Sequence, residues 1–189
     1  MNGGGTLLLA NSSATPSKDR INDSAAVALN GGTFSTGGLS EHGLAGGVVT
    51  QGVGALTLQD NSIIDLANGA SILAFANSSA EAWNGTLSIY NWSGIPIIGH
   101  GTDQLFFGTD ATGLTLAQLN SVSFYSDAGS TFLGSAVFAI GLDGEIVPTG
   151  FAPVPEPSTW FGAGLACLTI AFSQRRRFIR PRAHRSRST

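Results

Sequence analysis

The sequence predicts a mainly β protein: a β-solenoid-like or β-roll-like body of short strands, an aromatic-rich C-terminal cap, and one short C-terminal transmembrane helix. Three observations predict it. Apolar runs of four or five residues alternate with turns of Gly, Asn, Asp and Ser at roughly eight-residue spacing. Large aromatic side chains gather between Trp83 and Phe138, where a stack of strands needs a plug at its open end. The chain then ends in a proline-rich piece, an apolar run and an arginine cluster, in that order.

Composition divides the chain in the same way. Of its nine basic residues, seven lie from Arg175 onward, so residues 1–174 carry two basic against twelve acidic side chains, a net of minus ten. A formal charge of minus three therefore hides two oppositely charged parts. With 26 glycines and 11% charged residues the body is neither a typical helical enzyme nor a disordered tail, because Leu, Val, Ile and Phe recur too regularly. The single cysteine, Cys167, lies in the apolar run and cannot form an internal disulfide. Four regions are expected: a repeat region over 1–80, a β-rich cap over 81–150, a proline-rich, apolar and arginine-ended segment over 151–178 and a basic tail over 179–189.

Along the chain, the opening Met1-Asn2-Gly3-Gly4-Gly5 has no basic n-region, and only four apolar residues follow Thr6, so it does not read as a secretory signal. For a chain expected outside the inner membrane, this predicts a truncated gene product, a misassigned start or the last portion of a larger architecture. Asn11 to Asp23 is a loop. Ala26–Leu29 and Thr33–Thr36 are short strands separated by the turn signature Asn30-Gly31-Gly32. Residues 37–54, with seven glycines, read mainly as loop.

Ala55–Leu58, Ser62–Leu66 and Ser71–Phe75 are the clearest strands. Leu56 with Leu58, Ile64 with Leu66, and either Ile72 with Ala74 or Leu73 with Phe75 show the period of two of a half-buried strand. Repeated Gly, Asn and Ser corners favour a solenoid, with an ordinary sandwich as the alternative. Leu87–Trp92 is a strand with an aromatic end, and Ile95–Ile98 an edge piece because it holds Pro96. Gln104–Phe107 follows. Leu114–Leu119 is a two-turn helix capped by Thr112 or Thr115. Val122–Ser126 and Ala136–Ile140 are strands, and Leu142–Ile146 a tight hairpin turn.

The C-terminal piece is read from its chemistry. Pro153, Pro155 and Pro157 hold their own φ and restrict their predecessors, so Pro153–Thr159 is an extended spacer. Pro157 can still open the helix that follows. Trp160–Phe172 gives about 20 Å of helix, and Pro157–Gln174 about 27 Å, against a hydrocarbon core of roughly 30 Å. A single short span is expected, the alternative being a buried helix of a soluble domain. Trp160, Phe161, Leu165, Leu168, Ile170 and Phe172 would face lipid, and Arg175, Arg176 and Arg177 would anchor it on the cytoplasmic side. Residues 1 to about 152 would then stand outside the inner membrane. The arginine-rich tail lacks interleaved aromatics, so topology explains it and nucleic-acid binding does not.

Val154-Pro155-Glu156-Pro157, a short hydrophobic helix and an arginine cluster together resemble the PEP-CTERM sorting signal of Gram-negative bacteria, also catalogued as a C-terminal domain of some ice-binding proteins. The resemblance covers residues 153–178. It implies that Val154, Pro155, Glu156 and Pro157 are recognised by a membrane-embedded exosortase-type protease, and that the protein moves from a single-pass inner-membrane form, C-terminus in the cytoplasm, to the envelope, cell surface or medium. Whether the signal is cleaved stays open. The tail beyond Phe178, with Arg180, Arg182, Arg185 and Arg187, is longer than the family usually carries. Gly5-Thr6-Leu7-Leu8-Leu9-Ala10-Asn11 is similar to the autotransporter-associated β-strand repeat, and Asn91–Gly94, Asp103–Gly108, Leu116–Leu119 and Gly144–Val147 resemble the segment that precedes the sorting signal in such proteins.

Chemistry is sparse. His42 and His100 lack zinc-ligand spacing, no serine nucleophile elbow exists, and Gly99–Asp103 reads as a polar loop. Asp60, Asp65, Asp103, Asp110, Asp127 and Asp143 sit at turns but match neither the Gly-Gly-x-Gly-x-Asp nonapeptide nor an EF-hand, which leaves weak calcium binding. No cofactor is expected. The function expected is a non-catalytic, exported, surface-associated structural or adhesive element, with the lipid bilayer, the sorting protease and exopolysaccharide as partners. Two alternatives stand beside it: a polysaccharide- or ice-binding module, and a C-terminal fragment of a larger exported enzyme. The binding module needs evenly spaced hydroxyls or aromatics, and Thr6, Thr33, Thr57 and Thr86 are irregularly spaced along the chain.

Overall fold

The computed structural model describes residues 4–11, 18–141 and 143–150. The motif Val154 to Pro157 expected to direct sorting, the apolar run and the arginine cluster lie outside the described residues. Among the described residues no helix is long and apolar enough to cross a membrane. The span Met1–Phe151 is one compact unit, so the repeat and cap regions read from the sequence fall within the same body.

That body is mainly β. Among the described residues thirteen strands and one short helix follow one another as β1 (Thr6–Leu8), β2 (Val27–Leu29), β3 (Thr33–Ser35), β4 (Gly43–Ala45), β5 (Val48–Thr50), β6 (Leu56–Leu58), β7 (Ser62–Asp65), β8 (Ile72–Phe75), β9 (Leu87–Tyr90), β10 (Gln104–Phe107), α1 (Leu116–Asn120), β11 (Val122–Tyr125), β12 (Phe132–Phe138) and β13 (Glu145–Pro148). Nine strands form one curled sheet in the order β1-β3-β7-β9-β11-β12-β13-β10-β8. The pairs β2-β6 and β4-β5 form two small sheets beside it.

Most of these pairings are parallel, and parallel neighbours need a long connection between them. Thr33 pairs with Ile63, Ile63 with Ser88, and Ser88 with Ser123, each partner lying one circuit further along the chain. β2 pairs with β6 and β8 with β10 in the same parallel sense. Asn30-Gly31-Gly32 and Gln59-Asp60-Asn61 read as turns in the sequence. In the fold they are corners, because β2 and β3, and likewise β6 and β7, belong to different sheets.

The inward row runs across the strands in register. Phe34, Ile64, Ile89 and Phe124 are mutually aligned and all fully buried. The curl brings the far end of the sheet over this row: Phe75 meets Phe34 edge-on at 6.0 Å and stacks on Phe107 at 5.2 Å, and Trp83 closes on Phe107 at 5.9 Å. Each buried phenyl is worth about 1.5–3 kcal/mol of transfer free energy, with about 0.5–1.5 kcal/mol more for a well-placed ring pair. Leu56, Leu58, Ile64, Leu66, Leu73 and Phe75 are buried as their alternation predicts, and Ala74 is buried as well.

Polar groups inside are paired at one corner. Thr36 Oγ1 lies 2.8 Å from the Leu66 carbonyl and 2.9 Å from Ser71 Oγ, while the Ser71 N–H donates to Asp103 Oδ1 at 3.0 Å. Asp103 Oδ2 accepts from Ser93 N–H at 2.9 Å and Ser93 Oγ at 2.6 Å. Thr36, Ser71 and Asp103 are fully buried, so these bonds replace water that the corner excludes.

Several local features differ from the sequence reading. Residues 37–54 are not all loop: β4 and β5 form an antiparallel hairpin, with Gly46 and Gly47 at φ +60 and +85 supplying the left-handed turn its tip requires. Ile95–Ile98 is a turn and not an edge strand, with Ile95, Ile97 and Ile98 exposed, because its backbone bonds within itself from Gly99 N–H to the Ile95 carbonyl. The strand read at Ala136–Ile140 is β12 and begins earlier, at Phe132, where Tyr125 pairs with it. The helix begins two residues later than expected and ends one later, at Leu116–Asn120, and its cap is Thr115: Gln118 N–H donates to Thr115 Oγ1 at 3.2 Å, and Thr115 N–H to Gln118 Oε1 at 2.7 Å. Gln118 Nε2 then donates to the carbonyls of Ser78 and Glu81, tying the helix to the preceding turn.

The loop leading to β2 is held by a buried carboxylate. Glu41 is fully buried; its Oε1 accepts the N–H groups of Arg20 and Ile21, each at 2.7 Å, and its Oε2 lies 3.3 Å from Arg20 Nη1. Removing one partner of such a pair strands the other charge. Arg20→Ala is expected to destabilise the protein by about 3 kcal/mol in urea titrations, and by much less in a Glu41→Gln background, where no charge is left to strand. Equal losses in the two backgrounds would show that the charge is not the cause.

Candidate functional site

Strand residues alternate between faces, so the burial of Phe34, Ile64, Ile89 and Phe124 sends their neighbours outward. The register then decides which outward residues stand side by side. One row is Thr6, Thr33, Ile63, Ser88, Ser123 and Ser135, each paired with the next on β1, β3, β7, β9, β11 and β12. Neighbouring strands lie about 4.8 Å apart, which sets the hydroxyl repeat. Thr6 and Thr33, irregular along the chain, are thus direct neighbours in space. Thr57 and Thr86 are elsewhere: Thr57 bonds Glu81 at 2.9 Å, and Thr86 closes on Asn61 at a corner.

A second outward row starts with Leu8, Ser35, Asp65 and Tyr90 in register. It continues as a ladder of rings. Tyr90 meets Tyr125 at 5.6 Å and 90°, and Tyr125 meets Phe132 at 5.6 Å and 61°. Asp65 is held in place by Asn91 Nδ2 at 2.7 Å and the Ala67 N–H at 2.9 Å. The loop after β11 lies against Tyr90. Gly129, at φ +103, comes so close to the phenol oxygen that a Cβ there would stand 2.7 Å away, so a larger residue would have to displace the Tyr90 ring and adopt a strained backbone.

Asp127 builds that loop. Its Oδ1 accepts the N–H groups of Gly129, Ser130 and Thr131 at 3.0, 2.6 and 3.0 Å, and its Oδ2 accepts the Thr131 hydroxyl at 2.8 Å. These bonds, those from Thr131 first, hold its carboxyl below the usual aspartate range. Asp110 does the same for its own turn, with its carboxyl lowered by the hydroxyl and N–H of Thr112. Asp60 accepts the Asn61 N–H, and Asp103 belongs to the buried corner. Of the six turn aspartates, Asp143 stands in a cluster of possible metal ligands.

That cluster joins two distant segments. One nitrogen of His100 and one oxygen each of Asp143 and Glu145 lie within 4.8 Å of one another. His100 Nε2 is 3.3 Å from Asp143 Oδ2, Nδ1 is 3.8 Å from Glu145 Oε2, and the His100 N–H donates to that same oxygen at 2.8 Å. Glu145 is fully buried on β13, and its other oxygen, Oε1, has no hydrogen-bond partner. Burial pushes the Glu145 carboxyl up from its ordinary value, against the lowering effect of the His100 N–H. His100 itself is exposed and sits in the left-handed region at φ +57. Beside it opens a groove of about 450 Å³ lined by Val48 and Val49 of the hairpin, Ile72, Gln104, Phe106, His100 and Asp143.

Among the residues singled out in the sequence, Val154 to Pro157, Trp160 to Phe172 and Arg175 to Arg177 lie outside the described residues. His42 is buried, with Nδ1 3.0 Å from the Gly43 carbonyl. The polar loop Gly99–Asp103 supplies His100 to the cluster and Asp103 to the core. Sequence reasoning missed the partners of His100, because Glu145 stands 45 residues away and no spacing rule connects them. The only local signal was glycine on both sides of His100. No family model matches the chain, and no curated protein or solved structure is significantly similar to it.

Because the Asp127 carboxyl is lowered by folding, its contribution to loop order is fully present above the unfolded aspartate value and is lost as pH falls through the lower folded value. Asp127→Asn at neutral pH should loosen the same loop, seen as faster amide hydrogen exchange at Gly129, Ser130 and Thr131. Unchanged exchange at those amides would contradict this role.

Proposed function

We propose that the protein is a non-catalytic, exported, envelope- or surface-associated element of a Gram-negative bacterium, sorted through its PEP-CTERM-like C-terminus. Its body is read as a β-solenoid: stacked parallel strands with a capped end. The observation that carries the reading is the outward pair of rows, hydroxyls on one line and Tyr90, Tyr125 and Phe132 on the next.

Such a face suits adhesion to a polymer that is itself flat and hydroxylated. Serine and threonine hydroxyls both donate and accept, and tyrosine offers an apolar face with a polar tip. A polysaccharide presents matching hydroxyls and ring faces. This supports exopolysaccharide as the partner and the polysaccharide-binding module as the second reading. Ile63 in the hydroxyl row and the charged Asp65 in the other break a uniform lattice, which disfavours ice. In this reading the proline-rich spacer separates the body from the bilayer, and the apolar helix with Arg175, Arg176 and Arg177 holds orientation until processing.

Two measurements test the two halves. In a PEP-CTERM-type host, the wild-type protein should fractionate outside the inner membrane with its mass reduced near Pro157, and replacement of Arg175, Arg176 and Arg177 by Ala should leave it uncut. A full-length cytoplasmic protein in both cases overturns the sorting reading. Ser88→Lys with Ser123→Lys, two outward changes that leave the core untouched, should weaken sedimentation with the host's exopolysaccharide by roughly tenfold, a loss of about 1.4 kcal/mol. Unaltered binding overturns the adhesive face.

A further inference from the structure

His100, Asp143 and Glu145 have no place in the adhesive face, yet they form the most constrained group of ionisable side chains in the cap. Glu145 is fully buried in β13, and one of its two oxygens accepts the His100 N–H while the other has no partner. A buried carboxylate oxygen without a donor is costly, and native folds rarely leave one so. Arg20 pairs with Glu41, far along the chain, and among the described ion pairs none joins Glu145 to a lysine or arginine. The groups that do face it are an imidazole and a second carboxylate. Neutral imidazole and two carboxylates bring lone pairs together, which is the donor set of a divalent metal.

We propose that His100, Asp143 and Glu145 bind a first-row divalent transition metal of the Zn2+ type, which cross-links the loop before β10 to the turn before β13. The ligand atoms already lie within 4.8 Å of one another, where bonds of about 2.0–2.2 Å call for separations nearer 3.3 Å. The remaining contraction falls on the mobile partners. The His100 ring is 58% exposed and Asp143 is 27% exposed, while Glu145 is fixed by burial. The ion takes one nitrogen of His100, so the ring turns to bring that nitrogen between the two carboxylates. The groove lined by Gln104 and Phe106 leaves a fourth position open to water.

The backbone supports the same arrangement. Gly99 carries φ +82, and a Cβ there would stand within contact of Glu145 Oε2 and Ala139, so the chain passes close enough for the next residue to reach the carboxylate. His100 follows in the left-handed region, which a non-glycine residue adopts at a cost. Gly144, at φ +86, packs against the backbone of Gly108 and Phe107 and sets the turn that carries Asp143 and Glu145. The imidazole favours Zn2+, Ni2+ or Co2+ over Ca2+ and Mg2+, which prefer all-oxygen shells.

The test uses the full chain, stripped with chelator and titrated with Zn2+ by calorimetry, with bound metal counted by mass spectrometry after dialysis. One ion per chain at micromolar affinity or tighter is expected, together with a rise in thermal midpoint. His100→Ala should weaken binding at least a hundredfold, and Asp143→Asn and Glu145→Gln, both near-isosteric, should each weaken it tenfold or more. His184→Ala, in the tail, should bind as wild type does. Absence of a stoichiometric ion, equal affinity for Ca2+, binding unchanged in His100→Ala, or loss in His184→Ala would each overturn the site.

Discussion

In-register parallel pairing of β3, β7, β9 and β11 is the constraint on which the rest of the structure depends. It aligns Phe34, Ile64, Ile89 and Phe124 into one fully buried row, and the alternation of a strand then turns their neighbours to the opposite face, where all but Ser35 are at least partly exposed. A slip of one residue on any strand would bury Ser88 or Asp65 and expose Ile64 or Ile89. The inward row and the outward hydroxyl row are therefore one choice. Packing energy selects the first, and the second follows with it.

A body with few charges still has to satisfy its backbone and its corners. Here that work falls on short polar side chains placed where the chain turns. Thr36, Ser71 and Asp103 meet at one corner and bond to one another or to neighbouring backbone, so their buried polar atoms are paired. Outside, Asp110 and Asp127 each gather the N–H groups of their own turns, which explains why the aspartates follow turns without collecting into an oxygen cage. Among the described residues, Glu41 with Arg20 and Glu145 with His100 are the two places where a fully buried carboxylate meets a charged or chargeable partner. The first is satisfied at both oxygens and pins the loop before β2. The second keeps one oxygen free.

At the C-terminal side of the sheet the pairing changes sense. β12 runs antiparallel to β11, and β13 runs antiparallel to both β12 and β10, which carries the sheet from one limb of the curl to the other. The aromatic side chains gathered after Trp83 serve both surfaces of this region. Trp83, Phe107 and Phe124 pack inside, while Tyr90, Tyr125 and Phe132 form the outer ladder. The closing turn of β12 and β13 is also what delivers Asp143 and Glu145 to His100, so closure of the sheet and assembly of the cluster are the same event.

The sequence by itself determined the class of the body, the places of most strands and the helix with a threonine cap at Thr112 or Thr115, because these depend on period, turn chemistry and capping, all local properties. It also carried the spacer, apolar run and arginine cluster of the C-terminus as a pattern of composition. It misread the hairpin at Gly46-Gly47 and the turn at Ile95–Ile98, where few residues speak and tertiary contacts decide. Whether Asn30-Gly31-Gly32 is a hairpin or a corner, whether Thr6 and Thr33 are neighbours, and whether His100 has carboxylate partners were decided by the tertiary structure alone. Each of these is a question of which distant strands pair and in what register. That answer comes from the fit of Phe34, Ile64, Ile89 and Phe124 into a single core, a non-local packing condition that no window of sequence contains.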